Sequence, residues 1–232
     1  MTPMGGHHYY GISALPVLGD LGSRPPLTLA DLREHVADLA RPRALVNALL
    51  LFDDLVQHEA FLAGEVREVS PAVLTAAQVR NEEPLPQDLA GEASPPPRVA
   101  ADATWAAYFR LAAQEAGRHG SPFLSAWVSY EVSLRNALAA ARARALGLDP
   151  APYLVTEELG GAEEDFSTLV SEWAAAPDPL AGLRVLDRAR WAWLVAHDRW
   201  FTFADEEFAA YAAKLMLIVR WDRLSAESHG PG

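Results

Sequence analysis

Asp53 and Asp54 stand side by side in the apolar stretch LLLFDDLVQHEAFL, with Glu59 a short way on. Carboxylates of this kind hold Mg²⁺ and a diphosphate when they occupy i and i+4 on one helix and face a second acidic motif across a cavity. Glu59 lies six residues beyond Asp53. At about 100° of turn per residue it is rotated well off that face. No second Asp-rich motif of suitable spacing follows downstream. The expectation is a solvated helix face at Asp53, Asp54 and Glu59, with a diphosphate site at Asp53/Asp54 kept as the alternative.

Other residue types that carry chemistry are present without a working arrangement. His7 and His8 are adjacent, so on an extended segment they point to opposite sides and cannot chelate one ion. His58 follows Asp54 at i+4, but two ligands do not complete a site, and His119, His197 and His229 stand alone. No Gly-x-Ser-x-Gly elbow surrounds a serine. Gly160-Gly161 is followed by acids rather than by Lys-Ser/Thr, so no phosphate-cradling loop is formed. The acidic run Glu157, Glu158, Glu163, Glu164 and Asp165 reads as a solvated loop with acids at a helix N-terminus. No catalytic residue, cofactor or metal is expected, and the chain reads as a non-enzyme.

Charge and composition narrow the partners. A formal net charge of −12 argues against nucleic acid, whose phosphates need clustered Lys and Arg, and against direct docking on an anionic bilayer. With no cysteine in 232 residues, disulfides and thiolate metal sites are excluded. The closest approach to an apolar span, Leu45 to Phe52, is far short of the roughly 18 residues that cross a membrane. No basic region followed by an apolar stretch opens the chain. The expectation is a soluble, cytoplasmic protein.

The elements that must position these groups are helical. Half the chain is hydrophobic, much of it Ala and Leu, which favour helix. Residues 1–27 read as extended and turn-rich, from Tyr9-Tyr10 through Leu15-Pro16 to Pro25-Pro26. Thr28 with Asp31 forms a capping box for a helix through Leu39. Arg41-Pro42 breaks it, a second helix runs from Pro42 to Ala63 before Gly64, and a short one starts at Ser70-Pro71. Residues 80–98 carry Pro84, Pro86, Pro95, Pro96 and Pro97 among acids and read as a linker or excursion. Helices then cover 102–119, 122–146, 163–175, 179–197 and 205–224. The fold class is all-α, a multi-helix bundle divided into 1–79, the proline-rich segment 80–98, and 99–232.

Two helices hold most of the remaining information. On that of 122–146, Phe123, Trp127, Tyr130, Leu134, Leu138, Ala141, Ala145 and Leu148 form one seam at steps of three or four. Opposite it, Ser133, Asn136, Ala137 and Ala140 make a narrow face that admits another helix closely. Glu131 and Arg135 are spaced for an i, i+4 ion pair, and Asn136 for a bond to a backbone group or side chain at a helix contact. These three are the candidates for setting helix register. On the helix of 179–197, Leu183, Leu186, Trp193 and Leu194 share one side. Trp191 lies about 200° from Trp193, beside Arg184 and Arg188. It is either a second core contact or an interface hot spot.

The order of residues in these helices adds a resemblance. SYEVSLRNALAAARARALGLDPAPYL (Ser129 to Leu154) resembles the Asn-Leu-Arg-Asn-type helix and Gly-Leu-Asp-Pro-x-x-Tyr-Leu turn of an uncharacterised bacterial family. That family is associated with V/A-type ATPases and related to their C (or d) subunit. The opening HHYYGISALPVLGDLGSRPPLTLADLREHV is similar to its Tyr-Tyr, Ser-x-Leu-Pro and Pro-Pro before a capped helix. DPLAGLRVLDRARWAWL and FTFADEEFAAYAAKLMLIVRWDRL resemble its Asp-Pro-Leu…Leu-Asp…Arg-Trp pattern and its closing helix with Arg-Trp.

The resemblance implies a mechanical role. The related subunit is an all-α funnel that sits on the membrane rotor ring and receives the central shaft. A chain like it is expected to be a cytoplasmic component, peripheral to the inner membrane, of a proton- or sodium-translocating ATPase. It would contact rotor-ring and central-shaft subunits without hydrolysing ATP. Arg142, Arg144, Arg184, Arg188 and Trp191 are the candidate contact residues. The alternatives are a helical enzyme acting on a prenyl or other diphosphate through Asp53/Asp54, and a generic helical adaptor.

Overall fold

Four of the helices begin where a side chain satisfies their first amides. In the computed structural model, which describes residues 11–90, 99–161, 165–198 and 205–227, Thr28 caps α1 (Leu29–His35). Its Oγ1 accepts from the Asp31 amide at 3.1 Å while the Asp31 carboxylate accepts from the Thr28 amide at 2.9 Å. α2 (Ala40–Leu62) starts ahead of the expected break. Pro42 falls in its first turn, where a missing N–H costs no hydrogen bond. Tyr9 and Tyr10, with His7 and His8, lie outside the described residues.

The short helix expected from Ser70 is displaced to α3 (Ala76–Val79), capped by Thr75 with Gln78. The cause is competition for backbone amides. Those of Ser70, Ala72, Val73 and Leu74 donate to side chains of α2, so the chain stays non-helical until Thr75. A 3-10 turn (Gln87–Leu89) follows. The proline-rich segment is anchored there: Leu89 is buried in the main core and Leu85 packs against that core. Residues 91–98 lie outside the described part.

α4 (Ala100–His119) and α5 (Pro122–Ala145) come next, α5 capped by the Ser121 hydroxyl with proline at its first position. Two 3-10 turns (Ala151–Tyr153 and Glu157–Leu159) lead to α6 (Ser167–Ala174), which is shorter than expected. Asp178 caps α7 (Pro179–His197), and α8 (Asp205–Glu227) closes the chain. No strand occurs among the described residues, so the fold is all-α.

One core joins the residues before and after the proline-rich segment. Leu45, Leu49 and Leu55 of α2, Tyr108 and Phe109 of α4, Leu124 and Trp127 of α5, and Phe208, Tyr211 and Leu215 of α8 belong to it. Phe52 sits at its aromatic centre, with its ring centroid 5.1 Å from Trp105 and 6.4 Å from Trp127, both edge-on. A smaller cluster gathers Tyr130 and Leu134 of α5 with Leu186 of α7, covered by Phe166, Leu169 and Trp173. The seam on α5 is therefore buried through Leu134. It emerges toward solvent beyond, with Ala145 exposed and Leu148 43% exposed.

Candidate functional site

α2, α5, α7 and α8 bring three carboxylates and three guanidiniums together inside the bundle. Arg190 on α7 reaches Glu131 on α5 through Nε to Oε1 at 2.7 Å and Nη2 to Oε2 at 3.0 Å. Its Nη1 donates to Asp187 at 3.1 Å. Arg220 and Trp221 on α8 also donate to Asp187, each at 3.1 Å. Arg223 reaches both oxygens of Asp53, at 2.7 and 2.6 Å, and Gln57 donates to Asp53 at 2.9 Å. Burial alone would lower the Arg190 pKa. The Glu131 charge and hydrogen bonds, with Asp187 and Tyr130, outweigh it and hold the guanidinium above its ordinary value. The cost of enclosing these charges is offset by their mutual pairing.

Asp54 does different work. Its Oδ1 accepts from the Ala72 amide at 2.8 Å, and its Oδ2 from the Val73 and Leu74 amides at 2.7 Å each. One buried carboxylate thereby fixes the path of residues 72–74 against α2. Burial outweighs these three donors and pushes its pKa up to about 6, with the neighbouring Asp53 charge adding to the rise.

These placements correct the expectation of a solvated face. Asp53 is 1% exposed and Asp54 fully buried. Both are taken up by partners within the chain, so neither faces a cavity as a diphosphate–Mg²⁺ site requires. Glu59 accepts from Trp105 Nε1 at 2.7 Å, and His58 meets the Val79 carbonyl at 2.9 Å. Among the described residues no group of three His, Asp or Glu is placed to hold a metal ion.

Beside the network lies a cavity of about 550 Å³. Arg190, Arg220 and Glu131 line its inner end with Phe52. Trp105, Leu138, Leu183 and Leu186 form its walls, and Arg142, Leu146 and Leu148 its mouth.

The candidates on α5 resolve as follows. The expected Glu131–Arg135 ion pair is not made. Glu131 points into the bundle and is claimed by Arg190, whereas Arg135 turns to α4, donates to Asp102 at 3.0 Å and lies 4.8 Å from the Trp105 ring. Asn136 bonds to backbone, at Val155. The face of small residues meets a glycine turn instead of a long helix. The Gly161 amide donates to Ser133 Oγ at 2.9 Å, and a Cβ at Gly160 would stand 3.1 Å from that oxygen. Ala137 and Ala140 border a depression shared with Arg144 and Phe166.

The proposed contact residues occupy separate places. Arg142 lies over the Trp173 ring at 4.9 Å, and Arg184 over Trp221 at 5.9 Å. Trp191 is half-buried against the main core, with Lys214 Nζ 5.9 Å from its ring. Arg144 and Arg188 are exposed. Of the acidic run, Glu158 pairs loosely with Arg110 at 3.7 Å and Asp165 caps the Ser167 amide. Glu163, Glu164 and His229 lie outside the described residues.

Asp187, Arg190, Arg220 and Arg223 escaped the sequence reading. A signal existed: Asp187 and Arg190 share the helix with Leu183, Leu186 and Leu194, and Arg220 closes the apolar run LMLIV. A charge in such company calls for a buried partner. Compared with known proteins, the chain matches no family model, no curated protein and no solved structure.

Proposed function

We propose that this chain is a non-catalytic component of a V/A-type rotary ATPase, similar to the C (d) subunit, that couples the central shaft to the membrane rotor ring. What supports the reading is where the resembling stretches meet. The helix and Gly-Leu-Asp-Pro turn of 129–154, the Leu-Asp…Arg-Trp pattern of α7 and the Arg-Trp of α8 contribute Glu131, Asp187, Arg190, Arg220 and Trp221 to one network. A part that transmits torque needs helices locked against sliding. Charge pairs between helices resist sliding because each fixes one register.

No helix among the described residues is long and apolar enough to cross a membrane. In this role the chain is held at the cytoplasmic face of the inner membrane through protein contacts alone. Arg142, Arg144, Arg184, Arg188 and Trp191 are the proposed contact residues, and neither nucleic acid nor a bound cofactor takes part.

The test is affinity purification of the tagged full-length protein from its own cells, with crosslinking before lysis. Recovery of rotor-ring or shaft subunits is the expected result. Their absence, together with a gene neighbourhood free of V/A-type ATPase genes, overturns the reading in favour of an unrelated helical adaptor.

A further inference from the structure

The cavity between α2, α4, α5, α7 and α8 has an unbalanced hydrogen-bonding demand. Its three lining carboxylates already accept hydrogen bonds: Glu131 from Arg190, Asp102 from Arg135 and Glu59 from Trp105. Arg220 differs. Its side chain is 7% exposed and spends Nη1 on Asp187, while Nε and Nη2 have no hydrogen-bond partner. The Asp53 carboxylate stands 3.7 Å from Nη2, beyond hydrogen-bond reach, and is already gripped by Arg223. Two adjacent N–H groups of a guanidinium form a planar fork that matches the two oxygens of a carboxylate or phosphate. Both nitrogens have under 1 Å² of accessible surface, so a head group reaches them only as the side chains around the guanidinium shift; a buried donor left unmet costs free energy and favours that shift.

Apart from Arg142 and Tyr153 the rest of the lining is apolar, with Trp105, Leu138, Leu183 and Leu186 between Arg220 and the mouth. At about 550 Å³ the space falls within the range of small-molecule sites, roughly 300–1,000 Å³. We infer that this cavity binds an amphipathic anion, with a single carboxylate or phosphate head on the Arg220 fork and an aliphatic body along Trp105, Leu183 and Leu186. The site is independent of the ATPase assembly proposed above, and its test uses the isolated full-length chain.

Isothermal titration compares octanoate, octyl phosphate, 1-octanol and inorganic phosphate at constant ionic strength. At least one of the two charged amphiphiles is expected to bind at one site per chain. It should bind at least tenfold tighter than octanol, which lacks the head, and than inorganic phosphate, which lacks the body. Whichever of octanoate and octyl phosphate binds tighter identifies the head group. Equal affinity for octanol, or no binding by either charged amphiphile, overturns the proposal.

Arg220→Met should lower the affinity for the tighter amphiphile at least tenfold, and a folded variant that binds like the parent also overturns it. That substitution strips a partner from Asp187 and can fail to fold. Leu183→Trp, which fills the cavity without touching the charges, supplies the second arm: binding must be lost while cooperative thermal unfolding is retained. Unchanged affinity in Leu183→Trp places the ligand elsewhere and refutes the site.

Discussion

Asn136 on α5 grips Val155 from both sides of its peptide backbone: Nδ2 donates to the Val155 carbonyl and Oδ1 accepts from its amide, each at 2.9 Å. Val155 is buried, so water does not readily replace these bonds. They pin the chain that leaves α5, turns at Gly147 and returns along the helix. Asn136→Ala leaves a buried donor and acceptor unmet and should cost about 1–3 kcal/mol in thermal unfolding. Limited proteolysis should then cut first within residues 147–155. An unchanged cleavage pattern would show that the turn is held by other contacts.

Gly147 makes that return possible. Its φ is +69°, and the Leu148 amide behind it donates to the Ala143 carbonyl, closing α5 with a left-handed residue. Nothing lies within 4 Å of a Cβ built there, so any cost of Gly147→Ala is conformational rather than steric. The loss should be about 1 kcal/mol by chemical denaturation, and a neutral result would remove backbone strain as the reason for glycine.

Glu131 and Arg190 form a buried ion pair between α5 and α7, with side chains 2% and 10% exposed. Removing one partner strands the other charge. Glu131→Ala should cost on the order of 3–5 kcal/mol in chemical denaturation. Replacing both, as Glu131→Leu with Arg190→Met, should recover most of that loss, because Asp187 keeps Arg220 and Trp221. A double variant as unstable as the single one would show that the pair supplies net stability rather than register.

The contrast between these residues shows what a linear pattern can carry. Thr28 with Asp31 was legible because a cap is settled within three residues. The helices of α4, α5, α7 and α8 were legible because their periodicity is local. Glu131 was assigned to Arg135 on the same reasoning, yet its partner lies 59 residues away on a helix whose approach no local spacing encodes. Asp54 was read as solvated because its clients, the amides of 72–74, carry no side-chain signature. The cavity is a property of five helices at once, and nothing in any one of them announces it.

Asp54 gives the fold a pH dependence with a definite sign. Its folded pKa, about 6, lies above the 3.8 of a free aspartate carboxyl. Between these values the folded chain binds more protons at this site than the unfolded chain. The Asp54 contribution is therefore greatest below pH ~4 and declines as pH rises to about 6, by on the order of 3 kcal/mol. Asp54→Asn removes the titration and turns an NH₂ toward amide donors, so it should destabilise at every pH, by about 2 kcal/mol or more at neutral pH. The diagnostic is the difference between parent and variant, measured by denaturation from pH 4 to 7. It should widen as pH falls, and a gap that narrows toward acid would mean that the ionised form is the one the fold prefers.

Arg188 and Trp191 separate packing from partner contact on α7. Trp191 is half-buried against the main core, so Trp191→Ala should cost about 2 kcal/mol or more of stability whatever the protein binds. Arg188 is exposed, and Arg188→Glu should change stability by less than about 0.5 kcal/mol. In the proposed assembly the same reversal places a like charge against an acidic partner surface, so recovery of shaft or rotor subunits on affinity purification should fall severalfold. Undiminished recovery with Arg188→Glu, at unchanged thermal midpoint, would remove this face of α7 from the contact. The proposed interface would then rest on Arg142 and Arg144 at the end of α5.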